Sequence, residues 1–219
     1  MPQIVMPVEV WSDVVCPWCR IGRAHLLRAL EEFEHGASVE VTWRSFELDP
    51  AAPATATASL AEQLERKYGG TPADIDAMFA AVTARGAAAG LDFRFDTARS
   101  GNTVDAHRLL HLARETGRQD ELKERFFTAY FTEGEAIGEP ETLARLAKEA
   151  GLDPAEVDHV LATDRFHDEV RADEAEARAL QVTGVPFFVI DRRDAVAGAQ
   201  PTEVLVGALR GAWAEREAS

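Results

Sequence analysis

The chain contains two cysteines, and both lie in one segment, Cys16-Pro17-Trp18-Cys19. Residues 8–15 are mostly β-branched or aromatic, which predicts a buried strand, and residues 20–30 carry apolar side chains at helical spacing. The two thiols therefore lie between a strand and the start of a helix. Two cysteines separated by two residues at such a junction are typical of a dithiol that cycles between reduced and disulfide states.

The two thiols are predicted to have different roles. Pro17 suits the first turn of a helix, where its missing N–H would have no partner, and this places Cys16 at the helix N-terminus. Free N–H groups and the positive end of the helix dipole favour a thiolate there, so Cys16 is predicted to be the nucleophile. Cys19 shares the apolar face of the helix with Leu26 and Phe33, which predicts a covered, resolving thiol.

Packing and metal binding are the other interpretations of the cysteine pair. Cysteine is often buried, but packing alone does not explain why both cysteines of a 219-residue chain fall in one such motif. A zinc site needs four ligands, so two histidines or a second subunit would have to complete it. His107 and His111 are four residues apart on a predicted helix, but no acidic HExxH pattern surrounds them. No metal site is predicted.

Composition restricts the classes of partner. The formal net charge of −15 would repel a phosphate backbone or an anionic membrane surface, so neither nucleic acid nor membrane is an expected partner. No apolar run approaches the roughly 20 residues of a membrane span, and the first seven residues do not resemble a signal peptide. We therefore expect a cytoplasmic protein, in which thiols are kept reduced and a disulfide is usually catalytic or sensing.

The order of elements predicts an α/β fold interrupted by helices. Residues 39–48 mostly alternate apolar and polar side chains, and with the first strand and helix they form a right-handed βαβ unit. The first helix is expected to end near Gly36, and a loop is expected over residues 50–58. Helical signals then predominate until about Arg165, with predicted helices over residues 60–68, 72–90, 103–116, 120–131 and 140–150 and another from residue 154.

The chain then returns to the sheet. A helix, a strand, a tight turn, a last strand and a terminal helix are predicted over residues 164–182, 183–190, 191–194, 195–199 and 201–215. We therefore place one domain in residues 1–50 and 164–219 and an inserted helical subdomain in residues 51–163.

Three motifs in this order resemble the DsbA family of the thioredoxin superfamily, and more closely its cytoplasmic FrnE-like branch. They are residues 12–19 around the cysteines, residues 102–109 and residues 184–189. The resemblance covers nearly the whole chain and implies an α/β thioredoxin fold with a large all-helical insertion over the active site. It also implies that Pro186 is cis and lies opposite the cysteines, where the backbone at Val185 receives a substrate polypeptide.

The resemblance implies further site residues. Asn102 and His107 would line the cleft that faces the cysteines, although a helix cap is the alternative role of Asn102. Trp18 would shield the dithiol and contact the substrate, or would instead pack as an ordinary, partly buried aromatic residue.

Two positions depart from the family pattern. Trp18 stands where strongly oxidising members carry histidine, so we expect a less oxidising couple here. Val10 stands where many thioredoxin-like enzymes carry a buried acid beneath the dithiol. Proton transfer to Cys19 would then use another group, with Glu9, Asp13 and water as the alternatives.

These features predict a thiol–disulfide oxidoreductase or isomerase that acts on protein disulfides or dithiols. We expect no bound cofactor, and glutathione or the thioredoxin system as redox partner. The alternative with the same fold is a glutathione-dependent isomerase or transferase, similar to 2-hydroxychromene-2-carboxylate isomerase and the kappa-class transferases. Those enzymes typically have serine at the position of Cys16, because they activate glutathione and form no internal disulfide. A redox sensor or holdase without turnover is the non-catalytic alternative.

Overall fold

A single mixed sheet organises the protein. The computed structural model describes residues 5–54 and 58–218, and within them the strands are β1 (Met6–Ser12), β2 (Val39–Ser45), β3 (Phe187–Ile190) and β4 (Asp194–Ala197). Their order is β2-β1-β3-β4, with β1 parallel to β2 and antiparallel to β3, and with β3 antiparallel to β4. Helix α1 (Pro17–Glu32) makes the crossover that a parallel pair requires.

Helices fill the chain between β2 and β3. They are α2 (Leu60–Tyr68), α3 (Pro72–Ala88), α4 (Val104–Glu115), α5 (Gln119–Thr128), α6 (Pro140–Glu149), α7 (Pro154–Ala162) and α8 (His167–Ala179). Helix α9 (Thr202–Glu217) follows β4. None of the helices within the described residues has the length and apolarity needed to cross a membrane. The predicted domain boundaries stay a prediction, and residues 1–4, 55–57 and 219 of those domains lie outside the described residues.

Helix α1 takes part in two separate apolar cores. On one side Leu26 packs with strand residues such as Val8 and with Trp213 of α9. On the other side Cys19 packs with aromatic residues of the helical insertion, including Phe126. Fully burying side chains of this size contributes about 1.5–3 kcal/mol each, so both faces of α1 are held firmly. The cysteines therefore lie where the sheet's helix meets the insertion.

Several element ends differ from the prediction. Helix α1 ends at Glu32, and a short 3-10 helix (Gly36–Ser38) leads into β2. Strand β2 ends at Ser45, opposite Ser12, the last residue of its partner β1. Beyond it, the N–H of Leu48 donates to the Asp13 carboxylate, 2.8 Å away. Helix α8 begins only at His167, since Phe166 before it has a left-handed φ of 65°.

The predicted helix over residues 120–131 is also different in detail. Helix α5 starts at Gln119 and continues as a π-helical turn, Ala129–Glu133, which ends at Gly134 with a φ of 72°. Wider turns of this kind are frequent at functional sites.

Candidate active site

Cys16 caps the start of α1. Its backbone is extended, with φ −91° and ψ 113°, and Pro17 is the first helical residue. The N–H groups of Cys19 and Arg20 both donate to the Cys16 carbonyl, at 3.1 and 3.3 Å. The first turn carries no acidic side chain that would offset the positive end of the helix dipole. The local sequence thus places Cys16 at the helix N-terminus, as predicted.

Cys19 is covered more completely than Cys16. Both are free thiols, but Cys19 has no exposed surface whereas Cys16 retains 4%. Burial raises the pKa of Cys19 well above its usual range, and the hydrogen bond and charge of Cys16 raise it further. Cys19 is therefore a protonated thiol at neutral pH, and it must lose its proton before it can attack a sulfur.

The loop before β3 lies against the dithiol. The Sγ of Cys16 donates to the carbonyl of Val185 at 3.6 Å, which joins residues 169 positions apart in the chain. The Val185-Pro186 peptide bond is cis. The carbonyl of Pro186 in turn accepts from the N–H of Gly198, 2.8 Å away, just beyond β4. The sheet therefore holds the backbone of this loop beside Cys16.

Helix α1 approaches this loop closely at Gly22. A Cβ atom at Gly22 would lie 2.8 Å from Cγ of Pro186 and 3.3 Å from the ring of Phe188. Glycine is required here because the helix packs against a proline ring in a strand-bound loop that has little room to move.

Gly22→Ala should destabilise the protein by about 1–3 kcal/mol, because the added methyl group overpacks the contact with Pro186. The matched control is Gly207→Ala on α9, where a Cβ would meet nothing within 4 Å. That change should stabilise by about 0.5–1 kcal/mol through helix propensity. Urea unfolding of both variants measures the change in the free energy of unfolding, which should be negative for Gly22→Ala and positive for Gly207→Ala. A Gly22→Ala variant as stable as the wild type would contradict the packing argument.

A family model for the DSBA-like thioredoxin domain matches residues 7–210. The chain belongs to this family. The predictions of a DsbA-family protein and of a thioredoxin fold with a helical insertion are confirmed. The assignment to the FrnE-like branch stays a prediction.

Three proteins illustrate the relationship. The chain is 31% identical over 185 residues to the uncharacterized protein YwbO of Bacillus subtilis, covering 84% of this chain and 86% of YwbO. The structure of a probable DsbA oxidoreductase from Streptomyces coelicolor has a TM-score of 0.91 at 46% identity, over 96% of this chain and 91% of that one. The cytosolic disulfide reductase DsbM from Pseudomonas aeruginosa with GSH has a TM-score of 0.63 at 18% identity, over 97% and 98%, and shows the fold alone.

Trp18 lies between the two cysteines of this DsbA-family site. Its half-buried ring packs against the core of the helical insertion, and the guanidinium of Arg85 on α3 lies 5.2 Å from the ring centroid. A cation over an aromatic face at a partly exposed site contributes about 0.5–1 kcal/mol. The packing role of Trp18 is therefore visible in its contacts, and its role toward substrate stays a prediction.

Asn102 lies two residues before α4, and His107 lies in its first turn. The Asn102 side chain accepts from the N–H of Val104, the first residue of α4, at 2.9 Å and donates to the carbonyl of Pro50 at 3.2 Å. It therefore ties a loop to the start of α4, while Thr103 occupies the N-cap position. His107 is only 1% exposed, and its Nε2 lies 3.3 Å from Oδ1 of Asp13. Substrate contacts of Asn102 and His107 stay predictions.

The two histidines of α4, His107 and His111, contact different residues. His107 contacts Asp13, whereas Nε2 of His111 lies 3.1 Å from Oδ2 of Asp173 and 3.2 Å from Oγ of Ser45. Within residues 5–54 and 58–218, no group of three or more His, Cys, Asp or Glu side chains is arranged to hold a metal ion.

The groups proposed to move the Cys19 proton lie in different surroundings. Glu9 forms ion pairs with Arg44 and Arg192, and although burial raises the pKa of Glu9, hydrogen bonds from both arginines lower it overall. Burial also raises the pKa of Asp13, but His107 and the N–H of Leu48 lower it overall. Both carboxylates are therefore weak bases.

Lys123 is the site residue that sequence reasoning missed. It has no exposed surface, and its Nζ donates to the carbonyl of Ser12 at 3.2 Å. The signal in the sequence is its position beside Leu122 and at helical spacing from Phe126 and Phe127, on the buried stripe of α5. A lysine in such a stripe is rare unless it is paired or functional.

Proposed function

We propose that this DsbA-family protein is a thiol–disulfide oxidoreductase that acts on protein disulfides or dithiols. The Cys16 thiolate attacks a substrate sulfur and forms a mixed disulfide, which Cys19 then resolves. The observation that carries the proposal is the position of Cys16 Sγ, 3.6 Å from the carbonyl oxygen of Val185, with Cys19 fully covered behind it. The more exposed thiol, Cys16, is thus the one that attacks the substrate first, and the covered thiol, Cys19, attacks second.

The site supports an extended polypeptide as substrate. The backbone of Val185 lies beside Cys16, where a substrate strand can pair with it, and Pro186 holds that backbone in place. Trp18 offers an aromatic surface next to the attacked sulfur, and Asn102 and His107 are proposed to bound the same cleft from the insertion side. Pro186, like the two cysteines, is thereby proposed to be part of the catalytic site.

The redox partner and compartment are part of the same proposal. We place the protein in the cytoplasm, as expected for the FrnE-like branch, with glutathione or the thioredoxin system supplying or accepting the electrons. The fold relative DsbM is described as a cytosolic disulfide reductase and was solved with GSH, which supports glutathione as a partner. No bound cofactor is needed, because a dithiol carries both electrons itself.

Equilibration across ratios of reduced to oxidised glutathione tests the proposal, with the state of both cysteines read by thiol alkylation. We expect one reversible two-electron transition. Trp18 replaces the histidine of strongly oxidising members. The midpoint reduction potential should therefore be more negative than that of DsbA, about −120 mV, and closer to that of thioredoxin, about −270 mV. A stable glutathione adduct on Cys16 without an internal disulfide would contradict the proposal and favour the glutathione-dependent isomerase or transferase.

A further inference from the structure

We propose that Lys123 takes up the proton of the Cys19 thiol when Cys19 resolves the mixed disulfide on Cys16. The inference rests on the proposed thiol–disulfide exchange and adds the group that Val10 cannot supply. It gives the helical insertion a direct part in the chemistry, because Lys123 lies on α5 whereas Cys16 and Cys19 lie at the start of α1.

The position of Lys123 carries the argument. Its Nζ is bound to the carbonyl of Ser12, the last residue of the strand that leads into the dithiol segment. The rings of Trp43 and Phe127 lie 5.7 and 5.5 Å from it, so water is excluded from much of its surroundings. The hydrogen bond of this amine goes to a neutral carbonyl and not to a carboxylate, and a buried ammonium in that position is costly.

The charged and titratable groups around Lys123 come from two elements. The groups that act on it by charge are Cys19 and Arg23 of α1, Cys16 just before α1, and Asp13 in the loop after β1. Burial lowers the pKa of Lys123 to about 8, although the charges of Cys19, Asp13 and Cys16 oppose that shift. The amine is thus partly uncharged near neutral pH and can accept a proton. A base with a pKa near the working pH is the efficient one.

The carboxylates near the dithiol are less suited to this role. Glu9 is held by Arg44 and Arg192, and its pKa is lowered overall. The pKa of Asp13 is also lowered overall, so it stays ionised and has little affinity for a proton. Asp13 instead stabilises the ammonium form of Lys123 once the proton has moved.

The step balances as follows. The Cys19 sulfur gives its proton to the Lys123 amine and attacks the Cys16 sulfur of the mixed disulfide. The Cys16–Cys19 bond forms while the bond between Cys16 and the substrate sulfur breaks, and the substrate leaves as a thiolate with the bonding electrons. The dithiol loses two electrons and the substrate disulfide gains them. The ammonium then returns its proton to solvent or to the leaving thiolate.

Stopped-flow reaction of the reduced protein with 5,5′-dithiobis(2-nitrobenzoate) separates the two steps. The first thionitrobenzoate released reports attack by Cys16, and the second reports resolution by Cys19. In Lys123→Met the second phase should be slower by about 100-fold near neutral pH, and the first phase should change by less than about tenfold. Methionine lacks the amine and has a sulfur in place of the δ-methylene, so the apolar part of the side chain and its packing are largely kept.

The pH profile separates proton transfer from a structural role. Because the free amine is the acceptor, the wild-type resolution rate should rise as the pH passes through the Lys123 pKa of about 8. In Lys123→Met this rise should move to higher pH, since the buried thiol must then lose its proton unaided. Lys148→Met removes the same charge from the insertion surface, where Lys148 pairs with Asp158 at 3.0 Å, and it should leave both phases unchanged.

A measurement on the wild-type protein keeps the test valid if Lys123→Met does not fold. The ¹³Cε signal of Lys123, shifted by the rings of Trp43 and Phe127, is titrated in the reduced and the disulfide forms. Disulfide formation removes the negative charge of the Cys16 thiolate, which favours the ammonium form of Lys123, so the Lys123 titration should move to lower pH.

The possible outcomes distinguish this inference from the proposed function. A second phase with unchanged rate and pH profile in Lys123→Met, or a Lys123 titration that does not respond to oxidation, would overturn the role of Lys123 alone. Failure of wild-type protein to release the second thionitrobenzoate would overturn the proposed thiol–disulfide exchange itself.

Discussion

Cys16→Ser is expected to reduce catalysed thiol–disulfide exchange to the uncatalysed background. A serine hydroxyl cannot form a disulfide, and Cys19 cannot replace Cys16 because it has no exposed surface and burial raises its pKa. The measurement is the rate at which the protein reduces insulin disulfides with dithiothreitol as electron source.

Cys19→Ser is the matched variant and should give a different result. Cys16 still attacks, but the chain holds no third cysteine to resolve the product, so mixed disulfides with substrate accumulate. Non-reducing electrophoresis followed by mass spectrometry identifies the sulfur that is trapped. Retained insulin reduction in Cys16→Ser, or trapping at Cys19 in the wild type, would show that the assigned roles are wrong.

Asp173→Ala is expected to cause the largest loss of stability, about 3–5 kcal/mol, because it breaks a buried ion pair from one side. Asp173 is 3% exposed and accepts from Arg44 at 2.9 Å and from the N–H of Ser45 at 2.9 Å, while His111 lies 3.1 Å away. These partners come from β2 and α4, so one carboxylate joins the sheet, the insertion and α8. The control is Asp158→Ala, whose exposed pair with Lys148 should contribute less than about 1 kcal/mol.

The difference in free energy of unfolding between wild type and Asp173→Ala should depend on pH. Burial alone raises the pKa of Asp173, but His111, the Ser45 N–H and Arg44 lower it overall. A group whose folded pKa is lowered stabilises the protein above its unfolded pKa of about 3.9, and that stability is lost as the pH falls through the folded pKa. Urea unfolding should therefore show the gap between wild type and Asp173→Ala narrowing below about pH 4. A gap of constant size would contradict the ion pair.

Local patterns in the sequence were sufficient to locate the dithiol. The strand, the cysteines and Pro17 are adjacent in the chain, and their side chains directly determine where a strand stops and a helix starts. Helical signals likewise located most helices of the insertion, and the structure shows capping boxes at Ser59 and Thr71 before α2 and α3. The cis peptide at Pro186 followed from resemblance to the family and not from local physics.

Other features depended on packing between distant parts of the chain. Strand β2 ends early because its partner β1 ends at Ser12. The N–H of Leu48 then bonds to Asp13, and the side-chain amide of Asn102 bonds to the backbone of Pro50 and Val104. Such hydrogen bonds cannot be predicted from a local stretch of sequence, because each depends on which distant parts of the chain pack together.

The surroundings of Cys19 show the same dependence most clearly. Cys16 meets Val185 across 169 residues, and Lys123 meets Ser12 across 111. Spacing along one helix indicates that Cys19 and Lys123 are each buried, but only the contact between α1 and the insertion places them in the same environment. Burial there moves the pKa of the Cys19 thiol up and that of the Lys123 amine down, because both charged forms lose their water.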